Sequence, residues 1–133
     1  MHEIDDSGLM LFSFKIPFDF ALKRLKLALT DAGLHIFCQI NHSEAALNIG
    51  LEMPPTVVLV FGNPLAGTPL MKSVPLLAID LPSKILLWES NNSVKLAFNS
   101  FSNLKKRYNI EGFDLQIEEF DKKIEALITR ALS

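Results

Sequence analysis

Five side chains of this 133-residue chain join a chemically useful type to a position beside a turn or strand end: His42, Asn63, Thr68, Asp80 and Glu89. His42 follows an alternating apolar stretch and precedes Ser43, and an imidazole there titrates near neutral pH and can move a proton or hold a ligand. Asp80 lies between Ile79 and Leu81 and two residues before Pro82, so its carboxylate must find donors or bear a desolvation cost. Glu89 ends an apolar run beside Trp88. His42 with Asp80 or Glu89 would form an acid–base set, provided the fold brings them to one cavity. Asn63 and Thr68 each precede a proline, and each can either bond a small ligand or cap a helix. All five are candidate ligand-binding residues, and proton transfer by His42 with Asp80 or Glu89 is the alternative reading.

Other constellations are weaker. In Val60-Phe-Gly-Asn-Pro-Leu-Ala-Gly-Thr-Pro-Leu-Met71 the glycines Gly62 and Gly67 have the spacing of a phosphate-cradling loop after a strand. Thr68 replaces the lysine of that pattern and Pro69 the Ser/Thr, and each proline removes an N–H donor. The loop reads instead as two linked helix starts, Asn63-Pro64 and Thr68-Pro69, with the glycines permitting positive φ. His2, His35 and His42 lack a metal-ligand spacing, and Cys38 is the only cysteine, so no metal and no cofactor is expected. Cys38 shares an alternating face with Leu34, Ile36 and Ile40, which predicts core packing. Trp88 reads as core or interface, and Lys105-Lys106-Arg107 as a solvated helix face.

The chain is 49% hydrophobic and 21% charged, as globular domains are, and its formal charge of −2 lacks the basic excess that phosphate contacts require. No nucleic-acid partner is therefore expected. No apolar run approaches the roughly 20 residues that span a bilayer, so no membrane partner is expected either. The start, Met1-His2-Glu3-Ile4-Asp5-Asp6, does not resemble a signal peptide, and a cytoplasmic location is the expectation.

The elements that must position these residues follow from periodicity. Met10 to Ile16 alternate as a strand, stopped by Pro17. Phe18, Leu22, Leu25, Leu29 and Ala32 recur at helical spacing, with Asp19 a candidate cap and Gly33 a candidate C′ residue. Leu34 to Asn41 alternate as a second strand, and Ser43 can cap a short helix from Glu44 to Ile49. Thr56 to Phe61 has no polar face and reads as a strand covered on both sides, its second face by the segment Pro64 to Pro82 or by a partner subunit. Lys72 to Leu81, broken by prolines, holds at most one helical turn. Lys84 to Glu89 and Ser93 to Asn99 form a hairpin over Ser90-Asn91-Asn92. A short helix over 100–108 precedes a long one capped by Asp114, with Ile117, Phe120, Ile124, Leu127 and Ala131 inward. The prediction is one α+β domain, residues 1–133, with residues 1–8 a mobile end. Its order is β-α-β-β-β-β-α, with a largely antiparallel sheet of about five strands and the N-terminal and C-terminal helices packed on one face.

The stretches Asn41 to Met71 and Pro75 to Ser90 resemble the domain of unknown function 302 family, a set of small, mostly prokaryotic proteins. The most specific parts are Phe61 to Met71 and Asp80-Leu81-Pro82, and the likeness extends over 10–131. The resemblance implies a compact α+β fold, no established activity and a homodimer, and it supplies no catalytic residue. The chain departs from the family pattern in having Asn41, often Asp, before His42. The expected function is a non-catalytic module that binds a small molecule or acts through homo-oligomer contacts.

Overall fold

The structure is a computed structural model that describes residues 2–133. Its elements are β1 (Glu3–Ile4), β2 (Met10–Phe14), α1 (Phe18–Asp31), β3 (His35–Asn41), α2 (His42–Leu47), β4 (Thr56–Gly62) and α3 (Pro64–Ser73). A 3-10 turn (Pro75–Ile79), β5 (Ser83–Ser90), β6 (Ser93–Phe98), α4 (Phe101–Tyr108) and α5 (Asp114–Leu132) follow. The strands form one six-stranded antiparallel sheet in the order β1-β2-β6-β5-β4-β3. The α+β class and the antiparallel sheet are as predicted. The sixth strand is β1, whose Glu3 and Ile4 pair with Leu11 and Met10, so this part of the expected mobile end is tied to the sheet. Asp5 closes the connecting turn by accepting from the N–H groups of Ser7 and Leu9.

Alternation decides which face of the sheet is core. Phe12, Leu96, Leu87 and Val57 stand in one cross-strand row, with Met10, Phe98, Ile85 and Leu59 in the next, and all are buried. Helices α1 and α5 cover that face and contribute Leu25, Leu29, Ile117, Ile124 and Ile128 to the same cluster. They run antiparallel: Lys123, midway along α5, donates its Nζ to the carbonyl of Ala32, just past the end of α1 (3.2 Å), and α5 from there to Ala131 lines one hollow with α1 back to Phe20. Gly33, at φ +83°, is the C′ residue of α1, with Leu34 N–H donating to Leu29 O and Gly33 N–H to Thr30 O. The β5–β6 turn is two residues long, and Asn91 and Asn92 both take positive φ, as a type I′ hairpin demands.

Among the described residues, the opposite face of the sheet has no helical layer. Leu11, Ala97, Leu86, Val58 and Ile40 lie side by side across five strands, next to a row of Ser13, Lys95, Trp88 and Thr56. Trp88, Leu86 and Val58 are half-buried, and Ile40 is 44% exposed. The segment after β4 does not cover them, because its buried residues, Leu70 and Leu77, join the helical-side core. The double coverage predicted for Thr56 to Phe61 is met only at Val60, which is 7% exposed on the second face, and not at Val58 or Thr56.

Cys38 is a related correction. The pairing of β3 with β4 slips between Ile36 and Cys38, so Phe37 is an inserted bulge residue. One extra residue inverts the alternation: Ile36 still packs on the core, while Cys38 and Ile40 turn to the open face, where both are exposed. Several caps also differ from expectation. Asn41, not Ser43, caps α2 by accepting from Glu44 N–H, while Ser43 Oγ donates to Asn41 and accepts from Thr56 N–H. Capping needs only the side-chain oxygen, which Asn41 supplies as well as the family's Asp would. Asp19 and Asp114 fall in first turns, behind Pro17 and Phe113 at the cap positions, where a carboxylate still complements the helix dipole.

Candidate functional site

The segment after β4 makes a concave site. Asn63 caps α3, its side chain accepting from Leu65 N–H (3.0 Å), and Pro64 occupies the first helical position. The helix continues through Thr68-Pro69 to Ser73, so the second helix start predicted there does not form and Pro69 sits inside one continuous helix. Gly67 N–H donates to Asn63 O within the helix, which leaves no cradle for phosphate. Nor do Gly62 and Gly67 take positive φ, since the described glycines that do are Gly8, Gly33, Gly50 and Gly112.

Their value is space. A Cβ on Gly67 would meet Leu81 Cδ1 at 3.5 Å and Met71 Cε at 3.7 Å, and one on Gly62 would meet Pro82 Cβ at 3.7 Å and Phe37 Cε2 at 3.8 Å. All four of those neighbours, and both glycines, line a cavity of about 170 Å3 at the β4–β5 end of the sheet. Phe101 and Phe120, stacked with centroids 4.0 Å apart, extend its apolar wall. Polar groups are few: Asn63, Thr68 and the buried Ser83. A small, mostly apolar hollow with a few placed polar groups is the usual form of a ligand site. Proline shapes the rim, and the Leu81–Pro82 peptide is cis.

The other three candidates lie elsewhere. Asp80 follows the 3-10 turn and faces α4: the Tyr108 hydroxyl donates to its Oδ2, and Arg107 Nε lies 3.5 Å from the same oxygen. The donors its carboxylate finds are thus side chains of α4. The hydrogen bond to Asp80 raises the Tyr108 pKa above its ordinary value, with smaller contributions from burial and from the Asp80 charge. Lys105 pairs with the exposed Asp114, so two members of the basic run meet carboxylates of this chain at the surface. His42 is the first residue of α2 and is exposed. Glu89, also exposed, donates its N–H to Pro55 O at the same end of the sheet. That end is about 20 Å from Asn63 along β4. The structure therefore brings Asn63 and Thr68 together, leaves Asp80 behind the cavity wall, and sets His42 and Glu89 at the far end. His42 does not meet Asp80.

Asp121 was not singled out from sequence. It is buried on α5 and caps α4, accepting from Phe101 N–H (2.8 Å), Ser102 N–H (2.9 Å) and Ser102 Oγ (2.6 Å). Burial raises its pKa, against the lowering effect of those three donors. Its position, four residues after Ile117 and three before Ile124 on the inward stripe, is the sequence signal that marks it. By strict alternation Phe37 falls with His35, Gln39 and Asn41, opposite Ile36 and Cys38, and no sequence signal shows the bulge that sets it over Gly62.

A one-sided antiparallel sheet under a helical layer, with an apolar cavity walled by the helix after its fourth strand, defines an α+β protein with a small-ligand-sized hollow. The chain belongs to the family described as "Domain of unknown function DUF302", whose model matches residues 12–131. A crystal structure of an uncharacterized conserved DUF302 protein from Bacillus stearothermophilus superposes with a TM-score of 0.83 at 19% identity, covering 92% of this chain and 97% of that one. That likeness is one of fold. Among curated proteins, the "Fluoride-specific ion channel FluC 1" of Brucella suis biovar 1 (strain 1330) is 32% identical over 111 residues, 83% of this chain and 44% of the Brucella protein. The protein of that name from Brucella abortus biovar 1 (strain 9-941) matches at 32% over 111 residues, 83% of this chain and 41% of its own length. The chain thus spans less than half of the curated relatives it matches. No helix among the described residues is long and apolar enough to cross a membrane.

Proposed function

We propose that this protein is a non-catalytic module that binds a small molecule in the cavity beside α3. The observation that carries the reading is the pair of glycines, Gly62 and Gly67, which lack side chains where the cavity lies although their backbone does not require glycine. The volume suits one planar ring or a short branched chain, since an apolar cavity of about 150 Å3 holds a benzene. Asn63 Nδ2 has no acceptor among the described residues and offers one donor at the rim. A library of single-ring compounds, screened by thermal shift and by NMR on the wild type and on Gly67→Ala, tests the reading. Compounds should raise the melting temperature of the wild type and lose that effect in the variant. Absence of any hit, or hits that ignore the added methyl, would overturn it.

The open sheet face favours a second role, a homodimer. Five strands at about 4.8 Å spacing and some 20 Å long give a footprint of roughly 500 Å2 in projection. Side-chain relief carries the accessible area toward the ~800 Å2 per partner of a standard interface. Light scattering on the wild type and on Leu86→Glu tests this: a dimer that the charge dissociates is expected, and a wild-type monomer at high concentration refutes it. Cys38 lies on the same face, so its alkylation should slow as concentration rises.

The channel name of the Brucella proteins belongs, on this reading, to the part of them that this chain does not match. An ion channel needs membrane-spanning segments, and the matched region here is a sheet under short helices. The module would then serve beside a membrane protein in those chains, and the fluoride activity itself does not transfer.

A further inference from the structure

The outer side of the helical layer carries a groove unrelated to the cavity. Between α1 and α5 lies a hollow of about 940 Å3 whose apolar lining is Leu27, Leu127, several alanines and Phe20, with the Arg24 guanidinium 5.2 Å over the Phe20 ring. Phe20 and Leu27 are 48% and 55% exposed, although both stand on a helix whose other face already fills the core. The rim holds four cations, Lys23, Arg24, Lys123 and Arg130, against one carboxylate, Asp31, in a chain whose formal charge is −2. None of the four lies within 4 Å of a carboxylate among the described residues, whereas Lys105, Arg107 and Lys122 elsewhere all do. Because α1 and α5 are antiparallel, with Lys123 at the Ala32 end, Arg130 lies toward Lys23 and Arg24. Three of the cations therefore crowd one end of the groove.

We propose that this groove docks an acidic amphipathic helix of a partner protein. The argument is one of shape and charge. A concave strip between two helices fits a convex rod, the helix-in-groove mode of recognition, while a flat bilayer would touch only its rims. Phosphate backbones would match the cations but not the apolar floor. Alanines at Ala28, Ala32, Ala126 and Ala131 let a third helix approach closely, as ridges-into-grooves packing requires. The α1 side of the groove, Phe20 to Ala32, is about 18 Å long, or some 12 residues of helix. The occupant would lay its apolar stripe on Phe20, Leu27 and Leu127 and set its carboxylates over Lys23, Arg24 and Arg130.

The test uses a fluorescent synthetic helix of about 18 residues, long enough to hold helicity, with Leu on one face and Glu on the other. The same helix with Lys for Glu, and vesicles of phosphatidylcholine with phosphatidylglycerol, serve as the competing probes. Saturable binding of the acidic helix is expected, weakening with salt and falling at least about tenfold in the Arg24→Glu/Arg130→Glu variant. Leu27→Asn should weaken it without changing its salt dependence, which separates floor from rim. Circular dichroism and the melting temperature verify that both variants fold. No binding of the acidic helix, equal binding of the basic one, insensitivity to charge reversal, or binding to vesicles alone would each overturn the proposal. Gly67→Ala should leave this binding unchanged, so its outcome is separable from that of the cavity.

Discussion

Replacing Gly67 by alanine should stabilise the protein while shrinking its cavity. Gly67 lies inside α3 without a positive φ, and glycine in a helix interior is less favourable than alanine by about 1 kcal/mol. The new methyl would sit at 3.5 Å from Leu81 Cδ1 and 3.7 Å from Met71 Cε, ordinary van der Waals contacts that require no movement. Covering it from water adds roughly 0.5 kcal/mol, somewhat less than a fully buried methylene. The two effects together come to about 1.5 kcal/mol. With an unfolding entropy near 2.1 cal/mol/K per residue, that corresponds to a rise in melting temperature of roughly 5 °C. The methyl also takes up about 30 Å3, the share of one water molecule, from a cavity of about 170 Å3. Calorimetry on wild type and variant, with one hit compound titrated into each, reads both effects. A fall in melting temperature would refute the geometry argued for Gly67. A rise with unchanged ligand affinity would refute its assignment as a glycine kept for space.

Four further outcomes follow from the same reasoning. Gly33→Ala is the opposite case, because φ is +83° there, and it should cost about 1 kcal/mol in denaturant unfolding. Asn63→Ala removes the α3 cap and should cost about 1 kcal/mol, with a weaker ligand response. Asp121→Ala strips three donors of their acceptor and should cost about 2–3 kcal/mol, whereas Asp121→Asn keeps an acceptor and should cost less. Asp121 also sets a pH dependence of known sign: burial raises its folded pKa above the ordinary carboxyl value of 3.8, so the native state holds the proton more tightly than the unfolded state. Its contribution to stability is present below 3.8 and is lost as pH rises through the folded pKa. Urea titrations from pH 3 upward should show wild type losing stability relative to Asp121→Asn as that pKa is crossed; a difference constant with pH would refute the shift.

The strands and helices other than β1 and α3 were legible because each carries a period set by one covered face. The inward stripe of α5 and the hairpin with Asn91-Asn92 needed no tertiary information. The candidate site was legible in part: Asn63 announces a helix start by its proline, but whether Thr68-Pro69 begins a second helix depends on what the helix packs against. Leu70 on the core carries α3 through Pro69, and no local rule states that. The bulge at Phe37 is likewise invisible in an alternating sequence, and it moved Cys38 and Ile40 from expected core to open face.

By itself, then, the sequence determined the class of fold, the family, most of the elements and most of the apolar set that fills the core, because periodicity and turn chemistry are local properties. Tertiary structure alone decided which residues share a site. His42 and Glu89 lie about 20 Å along the strands from Asn63, Asp80 turns to Tyr108 and Arg107, and two glycines that read as turn residues became the walls of a cavity. The physical reason is that proximity across strands depends on register and on which side each connection packs, and both are settled only when the whole core closes.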